Sequence, residues 1–331
     1  MIYYREEQQY QSKRITIEGQ LRMYEQHPDK SERSATLWHA WSQNKRWLIR
    51  LLELTMSSFP TYSVHNASHA EAVLYNIERV LGENRILELT ATDCFAILHT
   101  VYVHDIGMAI LASDREMIVR NDEFADMVDE LAQGADVDLK KAASYLKKIF
   151  YGDGCEFEYD FEGKEYYEKK QQLYSEKLNT YYAVIHLLAE YQRREHGMIA
   201  ASRVKEWIED GNKLRSEFAM SGIPMRIFFR IAECASLHTD WEFQHVLDMP
   251  KEENGYENDM LHPRFVAILL QLGDALDIDN DRFHPFAQSF MGKFPMQSQS
   301  HYEKHLSIRT LKITPEEIVI EADCKTREAM R

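Results

Sequence analysis

The chain has 331 residues, 44% of them hydrophobic, which is enough to bury one large core or two modest ones and excludes disorder on the whole-chain scale. Acidic side chains outnumber basic ones 54 to 39, a formal charge of −15 that argues against a long nucleic acid as partner but leaves small anions open if a metal or clustered arginines meet them. Cys94, Cys155, Cys234 and Cys324 form no Cys-x-x-Cys pair, no apolar run reaches the roughly 18 residues that span a bilayer, and Arg5, Glu6 and Glu7 are unlike a signal peptide, so a protein of the reducing cytoplasm without a membrane partner is expected.

Residues 1–60 are polar and charged, with Trp38, Trp41 and Trp47 and an apolar run at 48–54 that predict amphipathic packing helix. Ser68 and Glu71 then predict a capping box that places His69 in the first turn of a helix continuing through Val73, Leu74, Ile77, Val80 and Leu81. A second capping box, Thr90 and Asp93, opens a buried helix through Phe95, Leu98, Val101 and Tyr102, with Gly107 as its C-terminal stop. His104 and Asp105 fall in the last turn of that helix, where the macrodipole favours a cation.

From about residue 110 to 180 few apolar positions keep a helical or alternating period, which predicts an insertion, either a solvated excursion or a lid over a substrate. Helices are expected at 181–188 and 198–208, on either side of Arg193-Arg194-Glu195-His196-Gly197. A further helix over 223–237 leads into His238. Pro263 opens a helix that is apolar on nearly every side and is therefore expected to be the most buried one; a carboxylate inside it, Asp274, needs a partner. The acidic run that begins at Asp277 is not a calcium loop, because Arg282 stands at its sixth position and Gln288 at its twelfth; it predicts a helix exit with Arg282 turned back toward the site. Residues 305–311 and 318–322 alternate like two strands around Thr314-Pro315-Glu316-Glu317 and predict a hairpin. His99 and His186 lie in apolar helices and are expected to be core histidines.

His69, His104 with Asp105, His196, His238 and Asp274 all carry metal-competent side chains on helices or helix ends. The order His, His-Asp, distant Asp resembles the HD superfamily of metal-dependent phosphohydrolases, with His-Asp-Ile-Gly at 104–107 and Leu-Gly-Asp-Ala-Leu-Asp at 272–277 as its nearest matches, over about residues 61–283. The resemblance implies a mainly α fold, an HD-domain helical bundle, here with a small C-terminal β-hairpin. It implies that His69, His104, Asp105 and Asp274 bind one divalent metal, and that His196 and His238 are the extra histidines of members with two. On this reading residues 1–60 are a helical packing region, 61–283 the phosphohydrolase domain with its insertion at about 110–180, and 284–331 an extension running toward a further domain.

A bound divalent ion lowers the pKa of its water toward neutrality, and a second ion about 4 Å away clamps the attacking and leaving oxygens of a phosphoryl group. Nitrogen-rich mixed ligands favour manganese, iron, nickel, cobalt or zinc, with magnesium left open. Asp105 can bridge two ions because a carboxylate has two oxygens. Arg193, Arg194 and Arg282 are candidates for phosphate contacts, since guanidinium matches phosphate oxygens bidentately, and His65 for a contact to substrate or the metal shell. The expected substrate is a nucleotide, first a (deoxy)nucleoside triphosphate and second a cyclic or dinucleotide. A nucleotide-sensing module of a signalling or antiviral defence system is the alternative class, and either a homo-oligomer or a fused or partner signalling module is expected.

Overall fold

The computed structural model describes residues 14–26, 31–58, 66–110, 112–151, 164–209, 218–239, 243–278 and 296–325, so His65 and Arg282 lie outside the described residues. Among the described residues twelve helices run in chain order: α1 (Ile17–Gln26), α2 (Ser31–Ser58), α3 (Ala67–Glu88), α4 (Ala91–Val103), α5 (Ala112–Ile118), α6 (Asp122–Gln133), α7 (Val137–Tyr151), α8 (Lys164–Glu209), α9 (Met225–Ser236), α10 (Phe243–Asp248), α11 (Pro263–Ala275) and α12 (Met296–Ser307). Single 3₁₀ turns follow α4, at Ile106–Met108, and α9, at Leu237–Thr239. Strands are few: β1 (Glu253–Asn254) pairs antiparallel with β2 (Met260–Leu261), and β3 (Ile308–Ile313) with β4 (Ile318–Ala322). The mainly α fold and the C-terminal hairpin are those expected from the sequence.

The main core is built around α4, every residue of which from 92 to 103 is buried. Helices α1, α2, α3, α9 and α11 pack on it. This corrects the expectation for α11, which buries Val266, Ala267, Leu269 and Leu270 but leaves Phe265, Ile268 and Leu272 half-buried and Ala275 exposed. An apolar surround in the sequence does not say which helix stands at the centre. His99, inside α4, is fully buried; its Nδ1–H donates to the Phe95 carbonyl, Asn44 donates to its Nε2, and burial pulls its pKa down to about 3, so it is a neutral core histidine.

The local signals settle the helix starts only in part. Thr90 caps α4 by accepting from the Asp93 N–H at 2.9 Å, and the Asp93 carboxylate has a further role. It accepts from the backbone and ring of His262, at 2.9 and 2.7 Å, and so ties the start of α11 to the start of α4. Helix α3 begins earlier than its predicted capping box: Asn66 is the N-cap and accepts from the Ser68 N–H, which still leaves His69 in the first turn.

The stretch expected to be an aperiodic insertion contains α5, α6, α7 and the first part of α8. Phe124, Met127, Val128 and Leu131 of α6 and Leu139, Ala142, Ala143 and Leu146 of α7 have helical spacing and form a second core with Ala183, Leu187 and Leu188. Exposed charged residues such as Asp126, Asp129, Glu130, Lys140 and Lys141 are interleaved with this apolar stripe and hide it in the sequence. Helix α8 runs unbroken for 46 residues, about 69 Å at 1.5 Å per residue, and joins the second core to the first.

Candidate metal centre

Five elements deliver the predicted residues to one place. His69 comes from the first turn of α3, His104 and Asp105 from the link between α4 and the 3₁₀ turn, His196 from the middle of α8, His238 from the turn after α9, and Asp274 from the last turn of α11. His104 is the C-cap of α4 and Asp105 lies beyond the helix, one residue later than its sequence pattern suggests. Gly107 does not act as a left-handed stop. It is glycine because α8 passes against it: a β-carbon there would stand 1.9 Å from the His196 carbonyl oxygen. The side chains of Gln192 and Arg203, both on α8, donate to the Gly107 and Ile106 carbonyls, and Arg203 also reaches Asp114 at 2.6 Å. Gln271, one turn before Asp274, donates to the Leu237 carbonyl at 2.7 Å and fastens α11 to the turn that carries His238.

Asp105, 2% exposed, is the hinge of the cluster. Its Oδ2 lies 3.2 Å from His69 Nε2 and 3.3 Å from His104 Nε2, and its Oδ1 lies 3.4 Å from His196 Nε2 and 3.7 Å from His238 Nε2. Asp274 Oδ1 approaches His69 Nε2 at 3.2 Å; protein surrounds most of the carboxylate, but its side chain keeps 32% of its surface exposed and forms the open edge of the cluster. Burial by itself would raise the Asp274 carboxyl; hydrogen bonding and charge from His69, reinforced by His104 and His238, outweigh it and hold the group well below the usual carboxylate range.

The outer ring nitrogens decide what the inner ones can do. His104 Nδ1 lies 2.7 Å from the Val101 carbonyl, His196 Nδ1 2.8 Å from that of Arg193, and His238 Nδ1 2.5 Å from that of Ala235. A carbonyl can only accept, so each of these Nδ1 atoms carries a proton, and it is the Nε2 atom of each ring that is turned inward. His196 and His238 bring those atoms within 2.9 Å of each other, and His69 and His104 within 3.2 Å. Acceptors at such distances repel unless protons or cations lie between them. Donor atoms about 2.1 Å from a common divalent ion are themselves about 3.0–3.4 Å apart, so the spacing fits the metal the residues imply. Among the described residues two groups satisfy this condition, His69 with His104 and Asp105, and Asp105 with His196 and His238.

The two predicted arginines of α8 fall outside the cluster. Arg193 is held by Glu190 through its Nε and one terminal nitrogen and keeps its side chain 41% exposed one helical turn before His196. Arg194 is engaged by Glu190 and by Glu130. Sequence reasoning missed the roles of Gln192, Arg203 and Gln271, which leave no signal in one sequence, and that of Asp277. Asp277 Oδ2 lies 2.6 Å from His69 Nδ1, and its position three residues after Asp274 could have suggested a place near the same site.

A helical bundle that gathers His69, His104, Asp105 and Asp274, in the order His, His-Asp, distant Asp, is of the HD type. The chain belongs to the HD-CE family, whose family model matches residues 59–329, a span that takes in α12 and the hairpin as well as the cluster. This places it, at the level of the class, with the HD-type phosphohydrolases, for which a divalent metal is the usual cofactor. No curated protein and no solved structure matches the chain. No helix among the described residues is long and apolar enough to cross a membrane.

Proposed function

We propose that this chain hydrolyses a nucleotide, a (deoxy)nucleoside triphosphate or a related small phosphorylated molecule, at a centre of one or two divalent ions held by His69, His104, Asp105, His196, His238 and Asp274. The observation that carries the reading is the position of Asp105, with two imidazole Nε2 atoms facing each of its oxygens. Ions bound there would offset charge on phosphoryl oxygens and lower the pKa of coordinated water.

The chain's own residues supply the rest of the arrangement. Asp105 and Asp274 set the negative charge that a cation must balance, and the three carbonyl-anchored rings keep their Nε2 atoms directed inward. The exposed edge at Asp274 admits a substrate. Arg193 and Arg194, both oriented by the buried Glu190 and both partly exposed, are the proposed phosphate contacts. A protein with a charge of −15 draws an anionic substrate only through such local positive groups, which favours a small ligand over a polymer.

The test is metal analysis of purified protein followed by phosphate, pyrophosphate or triphosphate release from a panel of nucleotides, cyclic and dinucleotides included, with manganese, nickel, cobalt or magnesium. Turnover that disappears in the His104→Ala, Asp105→Ala double variant supports the reading. Tight nucleotide binding without hydrolysis in the presence of any of these metals overturns it in favour of a sensing module.

A further inference from the structure

The four inward-facing imidazoles differ on their outer side. His104, His196 and His238 each rest on a backbone carbonyl three residues earlier. His69 instead meets a carboxylate, Asp277 Oδ2, at 2.6 Å, with side chains only 2% and 6% exposed. Resting on the reading of the cluster as a metal centre, we infer that Asp277 is a positioning residue that makes His69 the strongest nitrogen donor of the centre, so that the half formed by His69, His104, Asp274 and Asp105 Oδ2 takes up a divalent ion before the half formed by His196, His238 and Asp105 Oδ1.

A carboxylate that accepts from Nδ1–H stabilises the proton there, locks the tautomer that offers Nε2 to a metal, and pushes electron density toward that atom. A carbonyl fixes the tautomer too, but brings no charge. Asp277 is itself held in place: its N–H donates to the Asp274 carbonyl at 3.0 Å, so one turn at the end of α11 supplies both a proposed ligand and the group that orients another. The two halves are unequal in charge as well. The first has Asp274 in addition to its share of Asp105, whereas the second has Asp105 alone among the described residues.

The test titrates chelator-treated, metal-free protein with Co²⁺ or Mn²⁺ alone, by calorimetry and by metal analysis after dialysis. The native chain should show a tighter and a weaker event. Asp277→Asn keeps the shape and the hydrogen bond but not the charge; it should weaken the tighter event about 10–100-fold and leave the weaker one in place. Thermal unfolding of the metal-free variant should match that of the native chain. His238→Gln gives a second readout that does not depend on Asp277→Asn folding: it should remove the weaker event and spare the tighter one. A folded Asp277→Asn protein with native affinity at the tighter event, or a His238→Gln protein that loses the tighter event and keeps the weaker, overturns the inference. A native chain that binds no divalent ion overturns both the inference and the function on which it rests.

Discussion

Gly107 and His196 share a backbone contact that admits no side chain: a β-carbon on Gly107 would fall 1.9 Å from the His196 carbonyl oxygen and 3.0 Å from the Ala200 nitrogen. Through this contact α8 reaches the turn that carries His104 and Asp105, and it sets how closely the His196 ring approaches the carboxylate.

Replacement of Gly107 by alanine therefore cannot be absorbed by a side-chain rotation, because both obstructing groups are main chain. Gly107→Ala should cost about 2–3 kcal/mol or more in thermal or denaturant unfolding, the range of overpacked cores. It should also draw His196 away from Asp105, so metal analysis should find less ion per chain than in the native protein.

Asp105 belongs to both of the groups that could hold a metal, whereas each histidine belongs to one. Asp105→Asn, nearly identical in shape, should bring metal content to background and reduce turnover by about a thousandfold, the scale of losing the charge stabilisation that divalent ions provide. If each group holds an ion as proposed, His69→Gln and His196→Gln should each lower the metal content by about one ion per chain. Metal stoichiometry measured side by side on the three variants separates a bridging carboxylate from an ordinary ligand.

Two buried groups of the main core should give stability opposite pH dependences. Glu78 is pushed up from 4.5 to about 7 by burial, against the Ile17 N–H and Arg14 that favour its charge. Its folded form holds a proton more tightly than the unfolded chain, so its contribution is full below pH 4.5 and is lost as pH rises to 7, a difference of about 3 kcal/mol. Glu78→Gln should consequently raise the melting temperature at pH 8 and have little effect at pH 4.5. His99 works the other way: burial takes it down from 6.5 to about 3, the unfolded chain binds the extra proton, and stability is lost as pH falls through that window. Unfolding of the Glu78→Gln variant from pH 8 to pH 4 should show this acid loss without the opposing trend.

The hairpin is docked on α3 through another glycine. Gly82 has φ +68° and ψ 166°, a region essentially reserved for glycine, and a β-carbon there would lie 2.5 Å from Pro315 Cγ in the β3–β4 turn. Gly82→Ala should cost about 1–3 kcal/mol from the backbone conformation alone. Adding Pro315→Ala relieves the overlap but not the dihedral strain, so the double variant should recover only part of the loss in melting temperature.

His69, His104, Asp105, His238 and Asp274 were legible in the sequence because each sits at a position that local pattern can locate, a first turn, a helix end or a last turn, whereas His196 lies inside α8, where the sequence reading expected a break between two helices. Capping residues and apolar spacing depend on neighbours a few positions away, and they placed most of the site-bearing helices to within a turn. The second core was harder to see, since charged residues of α6 and α7 are interleaved with the residues that pack, and so was the centrality of α4, because burial depends on what surrounds a helix rather than on its own composition.

By itself, the sequence determined that the chain is helical, that its C-terminal part turns in a hairpin, and that histidines and aspartates suited to a divalent metal recur along it. Only the tertiary structure decided that Asp105 offers one oxygen to His69 and His104 and the other to His196 and His238, and that Asp277 stands behind His69, 208 residues away along the chain. The physical reason is one of range. Backbone preference and hydrophobic period act over a few residues, whereas the distance between a carboxylate and an imidazole on separate helices is set by how whole helices pack, down to the absence of a β-carbon at Gly107.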